Sequence, residues 1–67
     1  MAIAQDRTHT AYAQEAEATG AAALARRVYQ GTKGALTQEE QADAIFRALR
    51  AKGHSYTLSA HVAWTYA

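Results

Sequence analysis

The last residues of the chain alternate between apolar and polar side chains, and this pattern constrains the fold more than any other. The alternating apolar positions within residues 55–66 are Tyr56, Leu58, Ala60, Val62, Trp64 and Tyr66, and the residues between them are polar apart from Ala63. A period of two is typical of a half-buried β-strand, and Tyr, Thr, Val and Trp favour strands. We therefore predict a strand over 55–66. The alternative is a helix capped by Thr57, with Leu58 and Val62 one turn apart.

A strand at this position has no obvious partner earlier in the chain, and an unpaired strand edge normally recruits another chain. The chain is also short for a stable core, since 18 of its 67 residues are alanine and it contains no cysteine for disulfides. We therefore expect a homodimer. The residues predicted to mediate self-association are the larger members of the alternating set: Tyr56, Leu58, Val62, Trp64 and Tyr66.

Residues 11–30 favour a helix because they are rich in Ala, Glu, Gln, Arg and Leu. Gly20 weakens the interior of that helix and Thr19 is a good cap, so residues 11–30 form either one kinked helix or two short ones. A stripe of Ala16, Gly20 and Ala23 is a second surface through which a dimer could close. Residues 1–10 show no period, and we predict that they are loose.

Residues 31–36 contain two glycines and predict a turn. Thr37 and Glu40 then have the spacing of a capping box, so a helix is predicted from Gln38 to Ala51 or Lys52. Acidic residues begin and basic residues end both helical segments, which predicts an antiparallel hairpin in which each basic end meets an acidic start. The same charges also complement the helix dipoles without any contact between helices.

These elements together predict one domain over residues 1–67 with an α+β fold. A helical hairpin precedes a C-terminal strand, and the strand is completed by homodimerisation. The alternative is an all-α three-helix bundle.

The sequence offers no catalytic or metal-binding motif. His9, His54 and His61 do not have the spacing of a helical zinc site. Hydroxyl groups are present without the base and orienting group that activate a nucleophile. We predict that the chain is not an enzyme and holds no cofactor or metal.

The formal net charge is only +1, so it does not show whether the partner is a protein or a nucleic acid. No apolar run is long enough for a membrane span and no signal peptide precedes the domain, so we expect a cytoplasmic protein without membrane contact. We predict a protein partner, and a function as a regulator or inhibitor, of the kind a phage or mobile element carries as an accessory factor. The predicted partner surface is the basic end of the second hairpin helix: Arg47, Arg50, Lys52 and His54.

Nucleic-acid binding is the alternative function. Residues 22–36 weakly resemble a helix-turn-helix, in which the phosphate-binding residues would be Arg26, Arg27 and Lys33. Two copies of the terminal strand would also form a β-ribbon that could enter the major groove of DNA. That ribbon carries no Lys or Arg, which makes DNA the weaker of the two partners.

Overall fold

The computed structural model describes residues 2–67, and their side chains from Thr10 onward. This part of the chain consists of helices α1 (Ala2–Thr19), α2 (Ala21–Thr32), α3 (Gln38–Ala51) and α4 (Tyr56–Tyr66), and contains no strand. The predicted α+β fold is therefore wrong, and the protein is a small all-helical one. Residues 2–10, for which no regular structure was predicted, form the first half of α1.

The C-terminal segment is helical because it has a good cap and a partner to pack against. Ser55 is the N-cap, and its Oγ accepts a hydrogen bond from the Leu58 N–H at 3.1 Å. This bond satisfies one of the donors that a helix start leaves unpaired. The cap is thus Ser55 and not Thr57, the residue proposed in the alternative helical interpretation.

The alternating pattern led to the wrong prediction because residues spaced by two include pairs spaced by four, and such pairs also lie on one face of a helix. Leu58 and Val62 lie one helical turn apart and are both buried. Tyr56 and Trp64 belong to the same alternating set but lie on a different side of α4, where they are exposed. The apolar residues of 55–66 therefore serve two separate faces of a helix instead of one face of a strand.

Gly20 separates α1 from α2. Its φ of 85° is in the left-handed region, which glycine adopts without the steric cost that a side chain incurs. Thr19 does not cap α2, because its Oγ1 donates a hydrogen bond to the Glu15 carbonyl at 2.8 Å within α1. Of the two arrangements that the sequence left open, the structure has two helices.

The capping box sets the start of α3. Thr37 Oγ1 accepts from the Glu40 N–H at 3.2 Å, and Glu40 Oε1 accepts from the Thr37 N–H at 2.9 Å. At the other end, Gly53 has a φ of 93°, and its N–H donates to the Arg50 carbonyl at 3.0 Å. Both ends of α3 agree with the sequence prediction because the signals at these ends are local.

The core lies where α3 packs against α2 and α4, with α1 packed on α2 and α4. Four larger side chains fill it, one pair from α3 and one pair from α4: Ile45, Leu49, Leu58 and Val62. Buried alanines from every helix surround them: Ala16, Ala21, Ala22, Ala25, Ala42 and Ala63. Because alanine has a short side chain, the helices approach closely and few large residues are needed.

The predicted ion pairs between hairpin helices do not form among the described side chains. Arg26 contacts Glu17 of α1 at 3.2 Å, and Arg47 contacts Asp43 within α3 at 2.9 Å. A hydrogen bond from Gln41 Nε2 to Thr32 Oγ1, 3.2 Å long, joins α2 and α3 instead. The dipole explanation holds for α3, which has Glu39 and Glu40 in its first turn and Arg50 in its last. It does not hold for the first predicted segment, because Glu17 lies near the C-terminal end of α1 and Arg26 lies in the middle of α2.

Ser59 provides a test of how α4 packs in the core. Its side chain is fully buried and its Oγ has no hydrogen-bond partner. Because an unpaired buried hydroxyl is costly, Ser59→Ala should raise the free energy of unfolding by about 1 kcal/mol. Ser55→Ala is the matched control: it removes the cap and should lower the same free energy by about 1 kcal/mol. Urea titration measures both, and destabilisation by Ser59→Ala would show that the hydroxyl has a partner.

Candidate protein-binding groove

A groove of about 240 Å³ runs between α3 and α4 on the surface of the protein. We call it the α3–α4 groove. Residues from α3 form one wall: Glu39, Ala42, Asp43 and Phe46. Residues from α4 form the other: Tyr56, Ala60, Ala63 and Trp64. The alanines have short side chains, so the larger aromatic side chains define the shape of the groove.

The aromatic side chains of this groove are unusually accessible. Trp64 is 58% exposed and Tyr56 is 67% exposed. Phe46 packs edge-on against Tyr56, with ring centroids 5.1 Å apart and an interplanar angle of 78°. Such edge-to-face contact holds the two rings in place. The groove therefore presents fixed apolar surface to solvent, a feature of protein-binding sites.

Charge is distributed unevenly along the α3 wall. Glu39 and Asp43 lie in the N-terminal half of α3. Arg50 lies four residues beyond Phe46, on the same side of the helix and near its C-terminus. The wall is thus acidic at one end and aromatic at the other, and Arg50 follows beyond the aromatic end of the groove.

The structure separates the residues predicted to mediate self-association. Tyr56 and Trp64 lie together in the α3–α4 groove, whereas Leu58 and Val62 belong to the core of the same chain. Tyr66 is half-buried at the end of α4, where its OH lies 3.4 Å from Arg26 Nη1. Phe46, which is not among the predicted self-association residues, joins the first two in the groove.

Arg26 is exposed, but it is part of a local cluster with Glu17 and Tyr66. Its guanidinium lies 5.9 Å from the centre of the Tyr66 ring. The hydrogen bond that it donates to Glu17, together with charge attraction, raises the pKa of Arg26 above its usual range. The guanidinium therefore stays charged, and on the protein surface this charge is already paired with Glu17.

A second concavity, of about 350 Å³, lies where the α1–α2 junction meets the C-terminal end of α3. We call it the basic pocket, because Arg27, Lys52 and His54 line it. Two of the four residues predicted as a partner surface, Lys52 and His54, are thus in this pocket. Arg50 is linked to it through a 2.8 Å hydrogen bond from Nη1 to the His54 carbonyl, and Arg47 pairs with Asp43.

The residues proposed for nucleic-acid binding are not brought together. Arg26 contacts Glu17, Arg27 lines the basic pocket and Lys33 is the C-cap of α2. The β-ribbon is excluded because residues 56–66 are helical. Two polar residues of that segment also pack against the chain: Ser59 is buried, and the His61 ring stacks on Tyr12 with centroids 4.6 Å apart.

The described residues also bear on metal binding and on membrane crossing. No three His, Asp or Glu side chains among them are grouped as metal ligands. The prediction for His9 concerns a side chain outside the described set. None of the four described helices combines the length and the apolar character that a membrane crossing demands.

Comparison with protein-family models, with curated proteins and with solved structures finds no match to this chain.

Proposed function

We propose that this chain is a small non-enzymatic regulatory or inhibitory protein that acts as a homodimer and binds another protein. The observation that supports the proposal is the α3–α4 groove, in which Trp64 and Tyr56 remain exposed beside Phe46. An aromatic patch on so small a core is stabilised when a partner covers it. A cytoplasmic location suits a chain without cysteine.

The occupant of the groove is a second copy of the chain. In a twofold dimer each surface patch contacts the same patch of the partner, so the patch must be complementary to itself. The face of α3 that includes this wall has this property, with Glu39 near its start and Arg50 beyond Phe46 near its end. When two such helices cross antiparallel between Asp43 and Phe46, Glu39 of each copy faces Arg50 of the other.

The aromatic residues and the charged residues have different roles in this dimer. Trp64, Tyr56 and Phe46 supply most of the binding energy, since buried aromatic side chains dominate interfaces. Ion pairs at an exposed rim contribute little energy each. They fix the orientation of the two helices, because the parallel arrangement would place like charges together.

A charge swap tests this arrangement. Glu39→Arg places two cations opposite each other at both ends of the dimer, and Arg50→Glu places two anions there. Each change should weaken the dimer by about tenfold. The double variant Glu39→Arg/Arg50→Glu restores both pairs in reverse, so its dissociation constant should return close to that of the unmodified chain. Sedimentation equilibrium measures all three.

Glu15→Arg is the matched control, because Glu15 is exposed on α1 outside the groove. It makes the same charge change and should leave the dimer intact. The proposed pairing is contradicted if the loss of dimerisation free energy in the double variant equals the sum of the losses in the two single variants. It is also contradicted if Glu15→Arg weakens the dimer as much as Glu39→Arg does.

A further inference from the structure

We propose that the basic pocket binds an acidic segment of the protein partner. This inference rests on the proposed function of protein binding, but it concerns a separate surface, since the basic pocket and the α3–α4 groove share no lining residue. The ligand is a carboxylate carried next to an aliphatic side chain, as in a peptide where Asp or Glu alternates with Leu.

The cations of the pocket differ from the others in how they are paired. Arg26 and Arg47 each contact a carboxylate, Glu17 and Asp43 respectively. Arg27 and Lys52 make no ion pair with any described side chain, and they come from different helices to one cavity. His54 completes the group, and the lining contains no acidic residue. Three groups that can carry positive charge therefore converge without a counter-charge.

The shape of the pocket favours a carboxylate over a nucleic acid. Its lining includes the apolar side chains of Ala23 and Leu24, which suit an aliphatic neighbour of the bound group. A nucleic acid binds along a track of cations spaced with its phosphates. Here the charges surround one concavity, and Lys33 lies at the other end of α2.

The backbone at the end of α3 is compatible with an anion in this place. The Leu49 carbonyl accepts hydrogen bonds from the N–H groups of Lys52 and His54, at 3.1 and 3.2 Å, and the Arg50 carbonyl accepts from Gly53. These carbonyl groups, which carry the negative end of the helix dipole, are thus engaged within the chain. The Lys52 side chain remains available to a ligand.

The experiment uses the full chain labelled with ¹⁵N and two synthetic peptides as probes. In the first peptide, two leucines alternate with three acidic residues, and both ends are blocked. In the second, Gln and Asn replace the acidic residues. We expect the first to shift the backbone amide signals around Ala23, Arg27 and His54 in a saturable manner. The second should shift none of them.

Two double variants with equal loss of charge separate site binding from general attraction. Arg27→Gln/Lys52→Gln should weaken binding of the acidic peptide by about threefold for each cation removed. Lys33→Gln/Arg47→Gln should bind it as the unmodified chain does. Equal weakening in both variants would overturn the proposal. Tighter binding of an oligonucleotide at the same amides, with a steep dependence on salt, would also overturn it in favour of nucleic acid.

Sedimentation of the same samples keeps the two proposals apart. If the acidic peptide fails to bind while the chain is dimeric, the pocket proposal fails and the homodimer stands. If the peptide binds to a chain that is monomeric at all concentrations, the homodimer fails and the pocket proposal stands.

Discussion

The substitution Val62→Lys is expected to unfold the chain, whereas Trp64→Lys, two residues later, is expected to leave it folded. Val62 is only 2% exposed and packs in the core, so a lysine there would bury an unpaired charge. The cost of that burial, added to the lost packing, exceeds about 4 kcal/mol, a large part of the stability of a small domain. Far-UV circular dichroism and urea titration measure the difference.

This pair of variants distinguishes a helix from a strand over residues 55–66. In a strand, positions 62 and 64 share one face, so the two substitutions would have similar effects. In a helix they are separated by about half a turn. The helical assignment of α4 is contradicted if both variants unfold, or if both remain as stable as the unmodified chain.

Trp64→Lys should greatly weaken the dimer. Aromatic residues at the centre of an interface cost about 2 to 4 kcal/mol when removed, so the dissociation constant should rise at least about thirtyfold. Leu36→Lys is the matched control, since Leu36 is also an exposed apolar side chain but lies in the turn before α3, outside the groove. It should leave the dissociation constant unchanged. If the two variants dimerise equally in sedimentation, Trp64 does not lie in the interface.

The parts of the fold that could be predicted are those set by neighbouring residues. The start of α3 follows from Thr37 and Glu40, three residues apart, whose reciprocal hydrogen bonds form without help from the rest of the chain. The break before α2 follows from Gly20, which readily adopts the positive φ found there. Both signals are complete within one helical turn.

The structure of residues 55–66 could not be predicted in the same way because it depends on packing. The set that includes Leu58, Val62 and Trp64 fits a strand face and two helix faces equally well. Contact with α3, where Ile45 and Leu49 are buried, selects the helix. Tertiary contact overrides the strand preference of the individual side chains.

The candidate sites were also only partly predictable from the sequence, because they depend on how the helices pack. Tyr56, Ala60 and Trp64 are spaced by four, so they would mark one face as soon as the segment is known to be helical. Their proximity to Phe46 requires the packing of α3 on α4. The basic pocket requires Arg27 and Lys52, which are far apart in sequence, to meet at the end of α3.

The most direct test of the homodimer uses Trp64, the single tryptophan of the chain, as a probe. The unmodified protein is examined from low to high micromolar concentration by sedimentation equilibrium, and tryptophan emission is read on the same samples. We predict that the mass rises from monomer to dimer while the emission shifts to the blue, since burial in the groove removes Trp64 from water. A monomeric mass throughout, with unshifted emission, would contradict the proposed homodimer.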